Sequence, residues 1–367
     1  MTLLDRPESG PSSSTHDGRP DSKLVAGITV LAVTLLVIWR VGPGKLMNIE
    51  GFEGIARTWP LAPLPSEQAY VLRQALGQAL YQALGWTGTD RFLALHLAVL
   101  VLSGLLLAGW LLRRLGVQRG AIAVCLLVVS PVTAVLLEWI GMYDAFSVFV
   151  WVLLLLVLGR NPWLQGAVAF LGGVQNFEQF VVSVVLLALL PELTKGLTLR
   201  VRPIAVLAGA LGGKVALELY LRSAGAANGS RASFLTDPDM QQLVLTSFAL
   251  LAPVIVWTVL GGLWVPLLRR LPAVWASAPR GLRVRGLLVG ALVLGIGIVS
   301  ADHTRVMVLI SFPLLVLLCV RLALHETSVS TWLRRPDTWL VLLTPTFVIV
   351  SGNTPLPLGI DPSLLGL

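Results

Sequence analysis

The chain is predicted to be an all-α, polytopic transmembrane helical bundle of about eleven spans. Three observations carry that prediction. Of the 367 residues, 56% are hydrophobic and 13% charged, with a mean hydropathy of +0.83, a balance too apolar for a soluble globular domain. Apolar runs long enough to cross a hydrocarbon core of roughly 30 Å recur from residue 24 to residue 351. Between them Lys and Arg fall in short clusters, the pattern that sets orientation in a membrane.

Residues 1–23, rich in Ser, Pro, Gly and mixed charge, bury too little apolar surface to offset the entropy of ordering and are expected to be a disordered cytoplasmic tail. Residues 24–367 are read as one transmembrane domain. With no early apolar core and no small-residue cleavage site, the first span, 24–41, is expected to act as an uncleaved signal anchor. The segment 42–91 is the one long outer loop. Its second half, SEQAYVLRQALGQALYQALG, is nearly helical in period after Ser66 and predicts an amphipathic helix on the membrane surface, anchored by Trp59 and Trp86.

The later spans are placed at about 92–112, 120–137, 145–159, 164–175, 179–191, 203–221, 242–267, 286–300, 306–321 and 338–351. This division puts every basic cluster on one side: Arg113, Arg114 and Arg119; Arg160; Lys195, Arg200 and Arg202; Arg269 to Arg285; Arg321, Arg334 and Arg335. It makes that side cytoplasmic, with the N-terminus inside and the C-terminus outside a plasma (inner) membrane. The pair 164–191 is short in each half, and its turn GGVQNFEQ is polar. Reading it as two broken helices keeps the basic clusters together, and such helices are tolerated where they face protein or a watery cavity.

Acidic residues gather on the opposite side. Glu50 and Glu53 follow the first span, where burial or a like-charged neighbour would tune a carboxylate toward general-base work, although both also suit the start of a helix. Asp144 opens the fourth span beside Trp139, Tyr143 and Phe146, a stacking surface for a sugar ring or lipid headgroup. Glu178 lies in the broken pair with Gln175, Asn176 and Gln179, which at membrane depth should face a cavity. Lys214 and Glu218, four apart, project from one helix face and pair. In ADHTRV, Asp302, His303 and Arg305 sit between two spans with almost no loop. Arg305 suits bidentate phosphate binding and His303 proton transfer, against the plainer reading of a polar turn in which Asp302 caps the helix and pairs with Arg305.

The net charge of +8 resides in these loops and points to the membrane, not to nucleic acid. Cys125 and Cys319 lie in apolar runs with no ligand spacing. No zinc, Walker or GxSxG motif occurs. No cofactor is expected, although Asp237 and Asp239 in TDPDM leave a divalent ion open.

The hydrophilic tail, first span, long outer segment with early acids in MNIEGFEG, SPVTAVLLEWIGMYDAF after the third span and the late ADHTRV together resemble the GT-C superfamily of integral membrane glycosyltransferases. The resemblance implies sugar transfer from a polyprenyl-phosphate donor to a glycan or lipid acceptor on the outer face, for cell-envelope polysaccharide or glycolipid synthesis. It implies Glu50 or Glu53 as base, with no Asp-Asp or Asp-Glu pair in the loop to choose between them. Developing phosphate charge would fall to Arg305 and His303, or to Lys214 or Arg231. A polysaccharide polymerase or ligase of the O-antigen or EpsG type, and a transporter or lipid-linked-sugar flippase, are the alternatives.

Overall fold

The computed structural model describes residues 20–41, 49–64, 69–195, 197, 199–226, 238–300, 302–344, 347–350 and 354–357. These residues are almost entirely helical. In order they form α1 (Pro20–Val41), α2 (Ile49–Thr58), a 3-10 turn (Ala69–Arg73), α3 (Ala75–Ala83), α4 (Thr89–Val128), α5 (Pro131–Glu138), α6 (Asp144–Val157) and α7 (Pro162–Leu189). There follow α8 (Pro203–Ser223), α9 (Pro238–Leu260), α10 (Trp264–Ser277), α11 (Arg280–Ile298), α12 (His303–Leu324), α13 (Val329–Leu333) and α14 (Pro336–Leu343). A two-stranded antiparallel ribbon, β1 (Phe347–Val350) and β2 (Thr354–Pro357), ends the described chain.

Among the described residues seven stretches are helical, long and apolar enough to cross a membrane: Ser22–Val41, Thr89–Val128, Pro162–Leu189, Pro203–Ser223, Phe248–Ser277, Arg280–Ile298 and His303–Leu324. That composition marks a multi-pass membrane protein. Two of the seven turn back on themselves. In α4, Gly116 holds φ 75°, a conformation that favours glycine. A Cβ on Gly120 would stand 2.7 Å from the Cα of Leu112, whereas residues eight apart on one straight helix lie about 12 Å apart. In α7 the break is at Asn176, with φ −163° and ψ 81°. Phe180 beyond it folds back against Gly172 and stacks on Trp151 of α6, ring centroids 4.6 Å apart.

The contacts of α7 show where its two halves lead. Gln165 accepts from the Arg202 N–H and donates to the Arg200 carbonyl. Gln175, near the break, donates to the Tyr143 carbonyl and accepts from the Leu76 N–H. Glu192, just past the second half, returns to pair with Arg285. The first half of α7 runs beside α8 at glycine contact distance: a Cβ on Gly209 would overlap the Gly166 carbonyl, and one on Gly213 the Phe170 carbonyl. Small residues let two backbones approach this closely in lipid, where no hydrophobic effect drives helices together.

The core is built around α12, which is buried along most of its length and packs on α4, α7, α9 and α11. Its last turn lies among the basic clusters. Arg321 donates to the carbonyls of Glu192, Leu193 and Lys195, Arg114 to Leu197 and Arg119 to Glu326. Gln118 joins the Ser22 carbonyl to the Val329 N–H. The clusters that sequence grouped by charge therefore meet at one end of the bundle.

Two expectations are corrected here. The predicted span 338–351 is not a membrane-length helix: α14 stops at Leu343, Thr344 is extended (ψ 125°), and the ribbon follows. Pro345 explains the stop, since proline disfavours a helical residue before it. The predicted surface helix after Ser66 is a 3-10 turn and then the nine-residue α3, with Ala75, Gly77, Gln78 and Tyr81 buried against the bundle. Trp59 is no membrane anchor either. It is buried, donates through Nε1 to the Leu72 carbonyl at 3.0 Å, and its ring faces Tyr220 at 5.3 Å.

Candidate functional site

The first turn of α12 stands at the end of the bundle away from Arg321, which lies about 24 Å along the helix from Arg305 at roughly 1.5 Å per residue. There Arg305 is buried at 7% exposure. Its Nε lies 3.5 Å from Asp144 Oδ2 and its Nη1 3.4 Å from Asp302 Oδ2. The guanidinium also touches the Met142 sulfur and lies over the Trp139 ring, 5.2 Å from the centroid. Asp144 is 3% exposed at the first position of α6, and Asp302 forms a partly exposed rim. The approach of Arg305 Nε to Asp144 has ion-pair distance without hydrogen-bond geometry, so that buried N–H has no acceptor, and neither has Trp139 Nε1. One guanidinium, two carboxylates and two idle donors thus share a closed site.

Local sequence explains the placement. Gly141, at φ 96°, lets the chain turn sharply between α5 and α6, so that Trp139, Met142 and Asp144 face the same neighbour. The turn before α12 is short for the same purpose: Ser300 and Asp302 flank a single residue, and Arg305 is fixed by its helix. Asp302 stands at the cap position of α12 but makes no side-chain cap there. It pairs with Arg305, as the plainer reading of ADHTRV supposed. His303 is not part of this cluster. Its Nδ1 lies 2.6 Å from the Gly297 carbonyl and its ring 5.7 Å from that of Phe248, because residues two apart on a helix face nearly opposite ways.

Beside this cluster stands a second one. Glu53 is buried, and its Oε1 accepts from the Tyr81 hydroxyl and from the Gly88 N–H, both at 3.0 Å. Burial, and after it the Glu53 carboxylate, pushes the Tyr81 phenol up to about 12. Tyr143 links the two clusters: it precedes Asp144, its hydroxyl donates to the Phe52 carbonyl at 3.4 Å, and its ring meets Phe52 edge-on at 5.9 Å. Glu50 is exposed on the first turn of α2. Of the two early acids, only Glu53 therefore reaches the interior, and it is already engaged.

A third group couples the segment between α1 and α4 to the later helices. Arg73 donates to both carboxylate oxygens of Glu218, at 2.7 and 3.0 Å. Lys214 lies 3.1 Å from Glu218, the pairing that their spacing predicted, and 3.3 Å from Glu178. Glu178 is largely exposed. Its neighbours Gln175, Asn176 and Gln179 are buried and, with Ser147, line a cavity of about 10 Å³, barely room for one water. The polar side chains at the break in α7 therefore pack closely and leave little free space.

Arg231 and Asp237 lie outside the described residues, as does the side chain of Asp239. Among the described residues no three His, Cys, Asp or Glu side chains gather as a metal site would require. Sequence reasoning missed Tyr81, Arg73 and His96. His96 is fully buried, with Nδ1 2.8 Å from the Phe92 carbonyl and its ring among Phe92, Tyr143 and Phe146. A polar residue inside the apolar run FLALHLAVLVL was the signal that could have found it. Comparison with known proteins gives no matching family model, no matching curated protein and no matching solved structure.

Proposed function

We propose that the protein is a membrane glycosyltransferase that moves a sugar from a polyprenyl-phosphate-type lipid donor to a glycan or lipid acceptor, with its site at the Asp144–Arg305 end of the bundle. The observation that carries this reading is the pairing of a buried carboxylate with a buried guanidinium whose Nε–H, like the neighbouring Trp139 Nε1–H, has no acceptor. Idle buried donors are costly, and an arriving phosphate would satisfy them.

The chemistry follows from the geometry. A donor phosphate takes up Arg305, with Trp139 Nε1 as a further donor, and loosens the hold of the guanidinium on Asp144. Asp144 then accepts the proton of an acceptor hydroxyl, the hydroxyl oxygen bonds to the anomeric carbon, and the carbon–oxygen bond to phosphate breaks. Arg305 offsets the charge left on the departing polyprenyl phosphate in a water-poor setting. Tyr143 is buried among Phe52, Phe92 and His96, so it does not meet the sugar as its sequence suggested but backs the site from behind Asp144. Glu53 positions this wall through Tyr81 and Gly88.

In this reading the chain crosses the membrane about ten times, α6 and the separate halves of α4 and of α7 included, in a GT-C-like arrangement. The basic end faces the cytoplasm and the site faces the outer side of the plasma membrane. A transporter would draw on the break in α7 and the charged group around Lys214. Lys214 does stand midway along α8, but its charge is matched by Glu218 and Glu178, and Glu218 is in turn held by Arg73 of the outer segment. The test is to give purified protein in liposomes a panel of radiolabelled polyprenyl-phosphate sugars. Transfer or hydrolysis by wild type and its loss in Asp144→Asn support the proposal. Movement of a labelled lipid across the bilayer without bond cleavage makes the protein a transporter.

A further inference from the structure

At the basic end, far from the Asp144–Arg305 site, a cavity of about 60 Å³ opens between α10, the end of α12 and α14. That is several times the space one water needs. Among its lining residues are Arg269, Arg270, Glu326, Arg335 and Asp337. Arg269 pairs with Asp337, and Arg335 Nη1 donates to Glu326 Oε1 at 2.5 Å. Each carboxylate is thus matched by one guanidinium, and Arg270 is left over. Its Nη1 is buried with no hydrogen-bond partner. The same holds for Oε2 of Glu326, a residue only 5% exposed.

An orphan donor and an orphan acceptor in one cavity are each costly unless something between them satisfies both. The surplus guanidinium selects an anion. The free carboxylate oxygen selects a group that also donates. We infer that this cavity binds an anionic phosphate group that carries a hydroxyl, its phosphate oxygens on Arg270 and its hydroxyl donating to Glu326 Oε2. Guanidinium groups match phosphate oxygens in geometry as well as charge. A protonated inorganic phosphate and a lipid headgroup such as phosphatidylglycerol share this chemistry, whereas phosphatidylcholine offers no hydroxyl. The site is independent of the transferase reading.

The test is thermal unfolding of the purified full chain in uncharged detergent, titrated separately with inorganic phosphate, phosphatidylglycerol and phosphatidylcholine. The unfolding temperature of wild type should rise saturably with phosphatidylglycerol, with phosphate or with both, but not with phosphatidylcholine. A response to phosphate assigns a soluble anion, and a response to phosphatidylglycerol alone assigns a lipid headgroup. Arg270→Gln should need about tenfold more of the same probe, the loss expected for one charge-assisted hydrogen bond. Glu326→Gln has one oxygen where the carboxylate has two, so it cannot accept from both Arg335 and the ligand hydroxyl and should need several-fold more of the same probe, a readout that stands if the Arg270 variant fails to fold. No saturable response to any probe, meaning that water alone fills the cavity, would overturn the proposal. So would an undiminished response in Arg270→Gln or an equal response to phosphatidylcholine.

Discussion

Removing the charges of Arg305 and Asp144 together should cost about 2 kcal/mol less than the sum of removing each alone. At 3.5 Å, and with an effective dielectric of about 20, the attraction between Arg305 and Asp144 is about 5 kcal/mol before desolvation is subtracted. Both groups are buried, so Arg305→Gln leaves Asp144 in a poor dielectric without the guanidinium charge. The expected loss is about 3–5 kcal/mol, and Asp144→Asn should cost a similar amount by stranding the guanidinium. The double variant strands neither charge. Because the contact lacks hydrogen-bond geometry, the coupling should be about 2 kcal/mol, within the usual range for residues in contact. The assay is reversible unfolding of the four proteins in mixed micelles, followed by tryptophan fluorescence. If the double variant loses the sum of the two single losses, the groups do not interact and the site has been misread.

Other consequences can be measured the same way. Tyr81→Phe removes a donor from buried Glu53 and should cost about 1–3 kcal/mol. Because the folded-state value of Tyr81 is raised above its ordinary one, the stability it adds is present below pH 10 and is lost as pH rises through about 12. Unfolding across that range should show an alkaline decline that Tyr81→Phe reduces. Gly209→Val forces apart the backbones of α7 and α8 at the Gly166 carbonyl and should cost about 1–3 kcal/mol or more, whereas the same change at Gly281, where a Cβ meets nothing within 4 Å, should cost little. Glu218→Gln releases Arg73 from α8 and should weaken that partly exposed link by about 1 kcal/mol. Limited proteolysis between α2 and α4 should then quicken about fivefold, and quicken less at high salt.

Much of the architecture was legible because lipid leaves the backbone few choices. Apolar length, basic clusters and the polar interruption GGVQNFEQ located the helices and the break at Asn176. The spacing of Lys214 and Glu218 was enough to pair them. What failed depended on local competition or on distant partners. The run TFVIV looked like the last span by hydropathy, yet Pro345 and its β-branched residues favour extended chain. The amphipathic pattern after Ser66 was real, but its apolar face meets protein, a fact that periodicity cannot reveal. Asp144 and Arg305 were each singled out, but 161 residues separate them, and nothing short of the fold could show that they meet. His303 was grouped with Arg305 by adjacency in sequence, which on a helix means different faces.

The most direct test of the central claim is to separate donor binding from chemistry. Binding of a radiolabelled polyprenyl-phosphate sugar and its single-turnover transfer would be measured for wild type, Asp144→Asn and Arg305→Lys. The account predicts that Asp144→Asn binds donor at least as well as wild type but slows transfer about a hundredfold, as loss of a general base does. Arg305→Lys keeps the charge but loses the planar fork, and should weaken donor binding about tenfold. Full transfer by Asp144→Asn, or donor binding unchanged in Arg305→Lys, would contradict it.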